Sequence, residues 1–104
     1  MNRRSKVEVF VDILKVVARE GDIRRTRLMY KANLAWNVLK DSLDLMETRG
    51  MIKSEEKSSG IFVSITQEGY NLLRRFSDVE SAFTPFIRSS DRPVYATLPM
   101  AASN

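Results

Sequence analysis

Arg24, Arg25, Arg27 and Lys31 put four positive charges within eight residues. Such a cluster suits an anionic partner. Arg3, Arg4 and Lys6 add charge near the start, and Lys53 and Lys57 farther on, next to Ser58 and Ser59. The reactive side of the inventory is bare. There is no Cys and no His, which removes thiol nucleophiles, thiolate and imidazole metal ligands, and Ser-His-Asp or Cys-His catalysis. Glu8 and Asp12 stand four apart like a carboxylate pair, but with no partner for acid–base work they read as a solvated helix face. No Gly-rich phosphate loop is present. The expectation is a binding protein, not an enzyme, and one without metal or cofactor.

The charge is unevenly laid out. The chain has 104 residues and a net charge of +4. Residues 1–40 carry +6, residues 41–83 carry −3, and the remainder +1. Pro85, Pro93 and Pro99 all lie after residue 84, whereas Gly21, Gly50, Gly60 and Gly69 lie before it. The punctuation predicts one small folded domain over 1–83 and a flexible or extended tail over 84–104. Phe86, Ile87, Val94 and Tyr95 are apolar enough to dock on the domain or a partner. No apolar run approaches the roughly 20 residues of a membrane span, and the start lacks a signal-peptide core. The location expected is therefore cytoplasmic.

Periodicity supplies the elements. Ser5 and Glu8 make a capping-box pattern, followed by Val7, Phe10, Val11, Leu14, Val17 and Ala18 at helical spacing. This predicts a first helix over 6–20, stopped by Gly21. A second spans about 23–31, with Thr26 as its cap, Leu28 and Met29 inward, and Tyr30 packed under the next helix. Asn33 suits the cap of a third helix over 34–49, whose Leu39, Leu43 and Met46, with Ala35 a turn earlier, face inward, and Gly50 ends it. Residues 51–55 and 61–65 then alternate as strands around the turn cluster Glu56–Gly60. Thr66 caps a last helix carrying Leu72, Leu73, Phe76, Val79 and Phe83, ended by Pro85. Three helices, a hairpin and a helix predict a mainly α fold with a small β-hairpin (α+β), a winged helix-turn-helix.

One stretch is distinctive. Thr26-Arg27-Leu28-Met29-Tyr30-Lys31-Ala32-Asn33-Leu34-Ala35-Trp36 resembles a run found in small archaeal winged-helix DNA-binding proteins. That group includes the ten-kilodalton chromatin proteins and many transcription regulators. The resemblance extends from Arg4-Ser5-Lys6 through Met46-Glu47-Thr48-Arg49-Gly50-Met51-Ile52 to Ile65-Thr66-Gln67-Glu68-Gly69. It implies binding of double-stranded DNA by helix 34–49 and wing 52–65, usually as a homodimer. In the chromatin branch a long C-terminal helix forms an antiparallel coiled coil; here Pro85 cuts that helix short. Leu72, Phe76, Val79 and Phe83, at 4-3-4 spacing, form the expected dimer seam.

On that frame the candidate phosphate contacts are Arg4, Arg24, Arg25, Arg27, Lys31, Lys53, Lys57 and Ser58. Trp36, Asn37 and Lys40 fall on the outer side of the third helix: Asn suits adenine and Lys guanine, while Trp36 either touches DNA or packs between helices. Acids on the same helix, Asp41 and Asp44, and the shortened last helix favour a regulator over a packing protein. The alternatives are a nucleoid protein without sequence preference and a protein-interaction module using the tail or the acidic face of Asp41, Asp44, Glu47, Glu55 and Glu56.

Overall fold

The computed structural model describes residues 4–86. Arg3 and the tail beyond Phe86, with Ile87, Val94 and Tyr95, lie outside the described residues. The elements run α1 (Lys6–Glu20), β1 (Ile23–Arg24), α2 (Arg25–Ala32), α3 (Trp36–Thr48), β2 (Ile52–Lys57), β3 (Gly60–Ile65) and α4 (Gln67–Phe83), then a 3-10 turn over Thr84–Phe86. The winged helix-turn-helix order is as expected, with one addition. Ile23 and Arg24 pair antiparallel with Val63 and Phe62, so the hairpin becomes a three-stranded sheet ordered β1-β3-β2. No helix among the described residues is long and apolar enough to cross a membrane.

The capping box closes as read. Ser5 Oγ accepts from the Glu8 N–H at 3.1 Å and Glu8 Oε1 accepts from the Ser5 N–H at 2.8 Å, so two otherwise orphaned donors are satisfied. The buried face of α1 is broader than the stripe expected. Val9, Ile13 and Val16 join Val11, Leu14 and Val17 in burial, whereas Val7 is exposed. The reason is that α1 packs against α2, α3 and β3 together, so one stripe does not cover its contacts.

The start of α2 departs from the reading. Thr26 is not its cap: Arg24 occupies that position, extended and without a side-chain cap bond. Pairing of Ile23 and Arg24 with β3 leaves the helix to begin at once at Arg25. Asn33 is not the cap of α3 either. It adopts φ 56°, ψ 56° at the C-cap of α2, where its N–H returns to the Met29 and Tyr30 carbonyls. Asn tolerates this left-handed geometry, and Ala35 becomes the N-cap of α3. Ala35 is itself exposed, while Leu34 packs on the core. Tyr30 is the plainest reversal. It is 78% exposed, because two residues from buried Leu28 is the far side of a 3.6-residue turn.

The core joins Leu28, Leu39, Leu43 and Met46 to α1 residues and to Ile23, Ile52 and Val63. Each such side chain contributes about 1.5–3 kcal/mol by leaving water. β2 and β3 pair Ile52 with Ile65 and Lys57 with Gly60, leaving Ser58 and Ser59 as the tip of the wing. At the join to α4, Thr66 Oγ1 accepts from the Gly69 N–H at 3.0 Å and donates to the Gly50 carbonyl at 2.6 Å. Gly69 is required there: a Cβ would strike the Met51 carbonyl oxygen.

The chain divides into two units between Leu73 and Arg74, within α4. In the first, Leu72 and Leu73 pack against the core. In the second, Val79 and Phe83 are 56% and 59% exposed and Phe76 is half-buried. The helix ends before Pro85, as expected, with Thr84 Oγ1 donating to the Glu80 carbonyl at 3.0 Å.

Candidate nucleic-acid interface

The candidate cations separate into groups according to what holds them. Arg4 is drawn into the fold. Its Nη1 lies 2.8 Å from Asp12 Oδ2 and donates to the Ala32 carbonyl at 2.9 Å, and Nη2 donates to the Asn33 carbonyl. It thereby ties the start of α1 to the α2–α3 turn. The Glu8–Asp12 spacing is accounted for by these structural bonds: one residue caps, the other anchors Arg4.

Arg27 and Lys31 turn toward the end of α1, where Glu20 lies 3.8 and 3.5 Å away. Both line an open groove of about 620 Å³ whose walls include Glu20, Asp22, Tyr30 and Phe62. Lys57 pairs with Asp22, and this hydrogen bond raises its pKa from the ordinary 10.5.

Arg24 and Arg25 have no carboxylate partner among the described residues; each lies on an aromatic ring instead. Arg24 sits 5.6 Å from the Phe62 ring centre and Lys57 4.7 Å from the same ring. Register explains the stack. Arg24 and Phe62 are cross-strand partners, and Lys57 lies diagonal to Phe62 across the hairpin, so all three share the face opposite the core. Arg25 covers Trp36, 4.9 Å from its ring. Trp36 is therefore neither buried between helices nor bare: it is 42% exposed, at the first residue of α3.

Asn37 and Lys40 are exposed, as are Asp41 and Asp44, while Leu39, Ser42, Leu43 and Met46 turn inward. Lys53, Lys57 and Ser58 are exposed on the wing. The fold thus brings Arg24, Arg25 and Trp36 together with the wing tip and sends Arg4, Arg27 and Lys31 elsewhere. A second groove, of about 290 Å³, lies between the start of α3 and the wing, lined by Arg24, Arg25, Thr26, Trp36, Ser59, Gly60 and Ile61. Thr26, Ser59 and Ile61 were not singled out as site residues from the sequence. Their place depends on β1 pairing with β3, and a two-residue strand has no periodicity to show.

Comparison with known proteins agrees with this architecture. The family model described as winged helix-turn-helix matches residues 3–83. An uncharacterized protein of Methanocaldococcus jannaschii, MJ0287, is 36% identical over 55 residues, 53% of this chain and 56% of that protein. The match thus spans little more than half of that relative. Sso10a-2, a DNA-binding protein from Sulfolobus solfataricus, superposes with a TM-score of 0.64 at 21% identity, over 80% of this chain and 88% of its own. The transcriptional regulator BldR from the same organism gives 0.69 at 19% identity, over 84% and 64%. These structural likenesses carry the fold, and the archaeal resemblance read from residues 26–36 is matched by archaeal relatives. With the family model covering all of α1 to α4, the chain belongs to the winged helix-turn-helix family.

Proposed function

We propose that this protein binds double-stranded DNA and acts as a homodimeric transcription regulator. α3 enters the major groove and the wing follows the neighbouring backbone. The observation that carries the reading is the convergence of Arg24, Arg25, Trp36 and the wing tip beside the exposed side of α3. Cations there meet phosphate, and Asn37 and Lys40 on the next turns meet base edges. In this reading residues 1–83 are the DNA-binding domain and 84–104 its tail. The dimer forms through the later part of α4, where Val79 and Phe83 are exposed beside half-buried Phe76; Leu72, expected in the seam, packs instead on the core of its own unit.

The acids Asp41 and Asp44 on the exposed side of α3 favour a regulator over a nucleoid protein that binds every sequence, because carboxylates facing a duplex penalise most sites. Selection from random duplex oligonucleotides tests this. A narrow enriched motif, lost in Asn37→Ala, is the expected result. Flat binding would assign the protein to chromatin packing, and no retention of DNA at low salt would leave a protein partner as the occupant of this face.

A further inference from the structure

We propose that the larger groove, between α2, the end of α1 and the outer face of β3, binds a free ribonucleoside 5′-phosphate. The phosphate lies on Arg27 and Lys31, the base stacks on Tyr30, and Asp22 accepts from the ribose 2′-hydroxyl. The site borders the DNA-facing groove but does not depend on the DNA-binding reading.

The ring comes first. Tyr30 is 78% exposed, yet it lines the groove. Thr26 lies one turn before Tyr30 and Arg27 one turn before Lys31, and all four line the same groove from α2. Phe62, the other ring in the groove, already carries Arg24 and Lys57. The Tyr30 ring is therefore the open stacking surface, and a base of any kind has a π-face to lay on it.

The balance of charge fits the same ligand. Arg19, Arg27 and Lys31 share one carboxylate, Glu20, at 3.6, 3.8 and 3.5 Å. Charge-assisted hydrogen bonds are shorter, about 2.7–2.9 Å, so Glu20 holds these cations near the groove without saturating their donors. Three cations around one acid leave a surplus of positive charge, which a phosphate monoester, carrying about −1.5 to −2, offsets.

Asp22 separates a nucleotide from a bare anion. A carboxylate in the lining repels an inorganic anion, whereas a sugar hydroxyl donates to it. Lys57 holds Asp22 Oδ2, which leaves the second carboxylate oxygen and its lone pairs to accept. The groove, of about 620 Å³, lies within the range of about 300–1,000 Å³ typical of small-molecule sites.

Occupancy has a consequence for the other groove, because Arg24 and Thr26 line both. A phosphate bound beside them lowers the positive potential that a polyanion meets on the far side. Ordinary salt does not screen this, since the Debye length is about 10 Å at 0.1 M.

The test is isothermal titration calorimetry of the full chain with AMP, GMP, CMP and UMP, with each variant's thermal melt recorded alongside. Saturable binding is expected, tighter for the purines. Tyr30→Ala should weaken AMP binding roughly five- to a hundredfold, the loss of one stacking contact, with the melt unchanged. The 2′-deoxy analogue dAMP should bind the wild type roughly tenfold more weakly than AMP, and Asp22→Ala should erase that difference. Arg27→Ala with Lys31→Ala should reduce AMP to the affinity of adenosine. No saturable binding of any of the four at millimolar concentration overturns the proposal. So does equal affinity for AMP, dAMP and inorganic phosphate, which would make this a plain anion site. Tighter binding of a 5′-phosphorylated oligoribonucleotide than of AMP would assign the groove to an RNA end and overturn the free ligand. In an anisotropy titration of labelled duplex DNA, AMP should weaken binding severalfold for the wild type and not for Tyr30→Ala. Unchanged DNA affinity overturns the coupling and leaves the site standing. Failure of the wild type to bind DNA at low salt overturns the DNA-binding reading and the coupling with it, while the calorimetry still decides the site.

Discussion

Arg4 and Lys57 show how little a basic residue's type says about its use. Arg4 stands beside other cations in sequence, yet it ends as a three-way anchor between Asp12 and two carbonyls of the α2–α3 turn. Its side chain is 19% exposed, so removing it leaves Asp12 and the turn carbonyls without their donor. Arg4→Ala is expected to destabilise the fold by roughly 1–2 kcal/mol, read as a lowered urea midpoint. Lys57 differs. It is exposed on the wing, and the hydrogen bond to Asp22 raises its pKa above 10.5. The unfolded chain holds that proton less tightly, so the ion pair stabilises the fold throughout the range below about pH 10.5. That contribution disappears as pH climbs through the raised value. A comparison of wild type with Asp22→Asn in urea should show a small, constant gap at neutral pH that closes in strong alkali. A gap that widened in alkali would contradict the pairing.

At the scale of elements, the joins between helices and strands carry more weight than the elements' own propensities. α1 is rich in β-branched residues, which are mediocre helix formers. Its start is held by the capping box, and Ser5→Ala should cost about 1 kcal/mol in a chemical denaturation curve. The turn into α4 depends on a backbone approach. Gly69 lies so close to Met51 that a methyl group displaces the strand or the helix, so Gly69→Ala is expected to cost roughly 1–3 kcal/mol. It should lower the melting temperature with little change in the salt slope of whatever DNA binding remains. Gly60 stands at the opposite end of the hairpin with open space apart from the Arg24 stem. Its φ of +140° strains any side chain placed there, so substitution should lower the melting temperature through the wing.

At the scale of the whole molecule, α4 is the proposed site of association. The later part of α4 carries Phe76, Val79 and Phe83 at 3-4 spacing, and Val79 and Phe83 are exposed. We propose that a second copy covers them. Light scattering at micromolar concentration should give a dimer mass for the wild type. Val79→Asp should give a monomer mass with an unchanged circular dichroism spectrum. Equal masses for both would remove α4 from the interface.

Much of this was legible in the residues. Ser5 with Glu8, the spacing of Leu39, Leu43 and Met46, the alternation of Ile61, Val63 and Ile65, and Thr66 before α4 are local signals. Local signals survive because hydrogen-bond geometry acts over three or four residues. The order of elements follows from them, and with it the winged helix-turn-helix architecture. What the sequence could not decide was which side chains meet across distance. Ile23 and Arg24 join a strand some 40 residues away, and that pairing displaced the cap of α2 from Thr26 to Arg24. It also divided the cations: Arg24 and Arg25 to the wing, Arg27 and Lys31 to Glu20, Arg4 to Asp12. The +6 of residues 1–40 was readable from composition as one basic half. Only the tertiary structure resolved it into charges that brace the fold and charges left facing the groove, because pairing is a matter of distance in space, and separation along the chain does not set it.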